Sequence, residues 1–139
     1  MKTSTDNEAQ IRQLVENWAK AVRNKNIDAI LAHHSNDFVM FDVPPPFQSV
    51  GLEEYRKTWD TFYKYTELGV FDILDLKITA GEDVAFCIAT MKCSDKSDSE
   101  DFVSLKFRLT VGLKKINGEW TITHEHHSLP SDKQTTTDN

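Results

Sequence analysis

Apolar positions recur at two different spacings along the chain, and the change of spacing divides it. Ile11, Leu14, Val15, Trp18 and Val22 repeat at helical intervals and form one apolar stripe. Thr5-Asp6-Asn7-Glu8 before them fits a capping box, in which Thr5 accepts the Glu8 amide and Glu8 reaches back. Asn24-Lys25-Asn26 breaks this helix, and a short second helix is predicted from about Ile27 to His33. Asp37 to Asp42 reads as a strand, ended by Pro44-Pro45-Pro46, which cannot donate to a ladder. Gly51 opens a third helix with Leu52, Tyr55, Trp59 and Phe62 on one side.

From Leu68 onward the period is two. Strands are predicted at about 68–79, 84–93, 102–115 and 119–127, with turns at Ala80-Gly81-Glu82-Asp83 and Ile116-Asn117-Gly118. Ser94 to Asp101 reads as a solvated loop. Helices followed by a long antiparallel meander make an α+β fold, with the sheet curled over the helices to bury their stripes. Residues 1–130 form one domain by this pattern, and 131–139, without an apolar anchor, are expected to be a disordered tail.

Composition then narrows the function classes. A chain of 139 residues is the size of one ordinary domain. Its net charge of −6 argues against nucleic acid or an anionic membrane as the main partner, since both need a basic face. The longest apolar run, Val84 to Ala89, is far too short to span a membrane, and the first eight residues have no apolar signal-like segment. Cys87 and Cys93 belong to no metal-binding spacing and are too far apart along one strand to bridge. They are expected to be reduced thiols in a cytoplasmic protein.

The densest chemistry is His124-Glu125-His126-His127 at the end of the last strand. Alternation places Trp120, Ile122, His124 and His126 on one face and Thr121, Thr123, Glu125 and His127 on the other. The Trp120 face should be the core face. Two inward histidines are then core rings satisfied by backbone or water, a pocket acid–base pair, or a metal pair, and no third ligand is in view for a metal. Asp42 either caps the turn before the prolines or stands among Phe38, Met40, Phe41 and Phe47 as a carboxylate that desolvation makes a useful base. Arg108 falls on a solvated face by pattern, and joins a pocket only if a bulge turns it inward. Trp18, Tyr55 and Trp59 are helix-core aromatics by spacing, and a core of this kind under a curled sheet can leave a hollow for a small apolar molecule.

Asp37 to Pro46, Gly51 to Trp59, Arg108 to Lys115, Gly118-Glu119-Trp120 and His124 to Ser128 together resemble the SnoaL-like, ketosteroid-isomerase-like members of the nuclear transport factor 2-like superfamily. The resemblance covers about residues 6 to 130. It implies a cone-shaped, barrel-like curved sheet around three helices, a pocket opening where the first strand ends, and a homodimer through the outer sheet face. It sets Asp42 at the position of a general base. It sets Trp18 where the isomerases keep an oxyanion-hole tyrosine, and finds no carboxylate around Thr110–Val111 where they keep a protonated acid. The implied chemistry needs no cofactor: proton abstraction next to the carbonyl of a small, largely apolar ligand, with Asp42 and His126 catalytic and Trp18, Tyr55, Trp59, Arg108 and His124 around the substrate. A ligand-binding or dimerisation module without turnover is the other reading of the same fold.

Overall fold

A computed structural model describes residues 4–96 and 105–131 of the chain. Helix α1 spans Ser4–Arg23, α2 Ile27–Leu31 and α3 Leu52–Tyr65. The strands are β1 His34–Phe41, β2 Ser49–Val50, β3 Leu68–Ala80, β4 Val84–Asp95, β5 Leu105–Ile116 and β6 Glu119–Ser128. One six-stranded sheet results, in the order β2-β1-β6-β5-β4-β3. Its pairs are antiparallel except β1 with β6.

The α+β expectation is met, with one correction. The sheet curves over the helices but does not close: β2 and β3 remain its two edges, so the architecture is an open curved sheet and no barrel. Four boundaries also move, the first being the end of α2 at Leu31, two residues short of His33. Helix α1 already begins at Ser4, so Thr5 lies inside it and is no cap. Strand β1 starts at His34, three residues before Asp37. Strand β4 continues through Ser94 and Asp95, the start of the expected loop. The remainder of that loop from residue 97, and the tail from residue 132, lie outside the described residues.

Helix stripes meet sheet alternation in a single core. Ile11, Val15, Trp18 and Val22 of α1 and Tyr55 and Trp59 of α3 pack on the inward residues of β4, β5 and the first half of β6. The inward set of β4 is Ala85, Cys87, Ala89 and Met91, and that of β5 is Phe107, Leu109, Val111 and Leu113, each at period two. The β5–β6 hairpin turns on Asn117 and Gly118, with φ of 53° and 83°, a left-handed pair that Asn-Gly supplies at little cost. Just past it Trp120 is buried, and its Nε1 donates to Asn7 Oδ1 at 3.3 Å. Asn7, itself buried, also donates to the Gly81 carbonyl and accepts from Lys115 Nζ, so one polar side chain ties the start of α1 to two turns of the sheet. Among the described residues no helix is long and apolar enough to cross a membrane.

Candidate functional site: a buried carboxylate beneath an apolar cavity

Strand β6 changes face halfway along. Leu113 pairs with Ile122, but the next residue of β5, Gly112, pairs with His124, so Thr123 is an extra residue on β6. This is a β-bulge, which inverts the alternation of everything after it. The Thr123 hydroxyl donates to the Gly112 carbonyl at 3.3 Å and fastens the bulge. Trp120 and Ile122 face the core before it, and Glu125 and His127 face the core after it.

The expectation that His124 and His126 point inward is therefore corrected. His126 is exposed on the outer face, edge-on to Phe41, and His124 lies beside it with Nδ1 2.7 Å from the Val39 carbonyl oxygen. Arg108 takes the solvated face that its pattern gives, and not the place around the substrate that the resemblance implies. No bulge turns it inward; it is exposed on the outer face, where its Nε donates to Ser128 Oγ at 3.1 Å.

What takes their place inside is a carboxylate. Glu125 is 1% exposed. Its Oε2 lies 2.8 Å from His34 Nε2, its Oε1 lies 3.0 Å from His127 Nε2, and the Tyr55 hydroxyl donates to it at 2.9 Å. Trp18 Nε1 in turn donates to the Tyr55 hydroxyl oxygen at 3.0 Å. Tyr55 and Trp18 thus serve this network from the two helices. Burial pushes the Glu125 carboxyl up, but the hydrogen bonds and charges of His127 and His34 outweigh it and hold the group down to about 2. Burial also works against a charged His127, yet the Glu125 hydrogen bond, the Glu125 charge and Asp42 prevail and raise its pKa above 6.5. Tyr55 is raised well above 10.0, by burial first and by the Glu125 charge second, so it stays a phenol that donates.

The two histidines on Glu125 are not equivalent. His34 is held at both ring nitrogens, its Nδ1 lying 3.0 Å from the Ala32 carbonyl oxygen. His127 is held only through Nε2; among the described residues its Nδ1 meets no protein partner. His127 is also the member of the network that lines a cavity of about 280 Å³. The other walls include Met40, Trp59, Phe62, Phe71 and Phe107, together with the partly exposed Asp42 and Leu129. The Phe107 ring stacks on His127 with centroids 5.6 Å apart and planes 19° from parallel. Asp42 is half-buried, and its Oδ1 accepts the Val43 amide at 2.7 Å.

Of the residues singled out from sequence, the cavity brings together Asp42 and Trp59. Tyr55 and Trp18 lie behind its wall, in the network, and His124, His126 and Arg108 are on the opposite face of the sheet. His34 was not singled out, and Glu125 and His127 were noted only as members of the His124–His127 cluster, without a role. Alternation did place Glu125 and His127 on one face, but it carried the Trp120 core face along the whole strand and so left them on the outer one. Glu125 pairs with Val111 from the next strand, but it is held ionised and so is no counterpart of the protonated acid that the resemblance sets around Thr110–Val111. Cys93 on the cavity wall is a free thiol that burial pushes up to about 11, which leaves it protonated and inert at neutral pH. Among the described residues no three His, Cys, Asp or Glu side chains are grouped to hold a metal ion.

Comparison with known proteins follows the fold. The profile of the SnoaL-like domain matches residues 11–132. An NTF2-like protein of unknown function from Pseudomonas putida KT2440 is 33% identical, with a TM-score of 0.86 over 96% of this chain and 94% of that one. A ketosteroid isomerase-like protein from Erwinia carotovora atroseptica SCRI1043 is 18% identical, with a TM-score of 0.71 over 88% of this chain and 95% of that one. A protein with a cystatin-like fold from Nostoc punctiforme is 16% identical, with a TM-score of 0.77 over 94% and 95%. The last two likenesses concern the fold alone. No curated protein matches the sequence.

Proposed function

The chain belongs to the SnoaL-like family, and from that premise we propose that it binds a small, largely apolar carbonyl compound and moves a proton next to the carbonyl without a cofactor. One observation carries this reading: His127, fixed through Nε2 by a buried carboxylate, has an Nδ1 without a partner among the described residues and lines an apolar cavity that Asp42 also lines. Asp42 takes a proton from the carbon beside the carbonyl; the electron pair of that C–H bond forms a C=C bond, and the C=O π pair moves onto the oxygen. The Nδ1–H of the protonated His127 ring hydrogen-bonds to that oxygen and stabilises the enolate, while Glu125 balances the ring's charge. Returning the proton from Asp42 to the same carbon gives exchange, and returning it to another gives isomerisation. An aromatic-walled cavity keeps water from competing for these hydrogen bonds.

The test is exchange of α-protons of 2-tetralone in D2O, followed by proton NMR. Wild type should accelerate exchange over buffer, and Asp42→Asn and His127→Gln should each remove most of the acceleration, by about 100-fold or more. The Val43 amide on Asp42 Oδ1 favours a second reading, a binding module without turnover. Binding of the ketone with exchange no faster than in buffer would establish that module instead.

A homodimer through the outer sheet face belongs to the same proposal. Val84, Phe86 and Ile88 stand about half exposed in a row on β4 (60%, 46% and 51%), a face that a second copy would cover. Sedimentation equilibrium at micromolar concentration should give twice 15.9 kDa, and a single 15.9 kDa species would reject the dimer. Two free cysteines fit a reducing, cytoplasmic setting.

A further inference from the structure

We infer that the cavity takes a flat two-ring carbonyl compound, carbonyl end first against His127, and that Trp18 closes the way to anything longer; this deepens the acid–base reading and rests on it for the orientation. The size follows from volume. An apolar cavity of about 150 Å³ holds one benzene ring. The cavity here is about 280 Å³, room for two. The shape follows from the walls, since Trp59, Phe62, Phe71 and Phe107 offer ring faces and edges to a planar ligand.

The depth limit follows from what stands behind the floor. Trp18 does not line the cavity, but its ring backs three side chains that do: centroids lie 5.4 Å from Phe71, 6.2 Å from Trp59 and 6.3 Å from His127. Trp18 is 4% exposed and tied by its indole N–H to Tyr55, which is tied to Glu125. The floor can recede only by breaking that chain of hydrogen bonds. At the other end Val43 is 53% exposed, so a third or fourth ring would protrude past it into water and bury little more surface. The interior walls offer few polar atoms. Two ring nitrogens of the lining residues have no hydrogen-bond partner among the described residues, the fully buried Trp59 Nε1 and His127 Nδ1, and the His127 nitrogen belongs to the ionisable ring, so the polar end of the ligand goes in first, toward His127.

The experiment is a binding series on the wild-type protein, read by tryptophan fluorescence or calorimetry at pH 6. The probes are acetophenone with one ring, 2-acetonaphthalene with two, androst-4-ene-3,17-dione with four, and naphthalene as the two-ring hydrocarbon. Going from one ring to two should tighten binding about tenfold or more, and going from two to four should bring no further gain. The ketone should bind about tenfold tighter than naphthalene, and His127→Phe should abolish that preference. A four-ring ketone binding tenfold tighter than 2-acetonaphthalene would overturn the size limit. Equal binding of naphthalene and 2-acetonaphthalene to the wild type would overturn the orientation, and needs no variant to fold. The predicted order of binding without α-proton exchange keeps this inference and removes catalysis. Exchange without that order does the reverse.

Discussion

The two halves of β6 are one strand with opposite chemistry. Up to Ile122 it buries Trp120 and Ile122 and belongs to the hydrophobic core. Beyond Thr123 it buries Glu125 and His127, which hold a hydrogen-bonded network under the cavity. A single extra residue separates the two. Core building needs only apolar bulk at the inward phase, whereas the site needs two ionisable groups there, and the bulge supplies them by re-aiming the strand instead of by changing its pattern.

The largest expected effects set the halves side by side. Trp120→Ala should cost roughly 3–5 kcal/mol by leaving a cavity. Glu125→Ala should cost about as much for another reason, since His34, His127 and the Tyr55 hydroxyl all lose their acceptor in the interior. Urea unfolding of both variants measures this; a loss under about 1 kcal/mol for Glu125→Ala would show that the network is not buried as described.

Acid separates the halves next. The Glu125 carboxyl titrates at about 2 in the folded protein against 4.5 ordinarily. Its contribution, on the order of 3 kcal/mol, is therefore fully present above about pH 4.5 and lost as the pH falls from there toward 2. His127 has the opposite sign: its pKa is raised, so its contribution is present below pH 6.5 and lost as the pH rises through the folded value. Thermal melts between pH 7 and 3 should show wild type holding its stability down to about pH 4.5, whereas Glu125→Gln should already lose stability below about pH 6.5, where the buried His127 must take up a proton without its carboxylate. Trp120→Phe should leave the slope of the wild-type acid limb unchanged. Parallel acid limbs for wild type and Glu125→Gln would contradict the network.

Smaller changes probe its members. Tyr55→Phe deletes the hydroxyl between Trp18 and Glu125 without changing the ring packing, and should cost about 1–3 kcal/mol. His126→Ala, on the outer face, should change monomer stability by no more than about 0.5 kcal/mol. A loss of 2 kcal/mol or more there would restore the unbulged alternation and remove His127 from the interior.

Most of the fold was legible because its signals are local and repeated. Ile11, Val15, Trp18 and Val22 announce α1, the Asn117-Gly118 pair announces the hairpin, and period-two runs announce β3 to β6. The two-residue strand Ser49–Val50 is too short to leave a pattern. The site was half legible. Asp42 and Trp59 line the cavity, and Glu125 with His127 were correctly paired on one face. Which face could not be read, because Thr123 in a bulge looks like any strand threonine, and the register against Gly112 is a property of two strands. His34 lies 91 residues from Glu125 and shares no motif with it. Its side chain meets the carboxylate only through the parallel pairing of β1 with β6.

The central claim is that His127 is the cavity's ionisable ring and that Glu125 controls it. The most direct measurement is an NMR titration of the His127 ring nitrogens in wild type and Glu125→Gln, with and without 2-acetonaphthalene. The wild-type midpoint should lie above 6.5 and fall in Glu125→Gln, and the ligand should shift Nδ1 while leaving Nε2 on its carboxylate. A midpoint at or below 6.5 that Glu125→Gln leaves unmoved, with no response of Nδ1 to the ligand, would contradict the account.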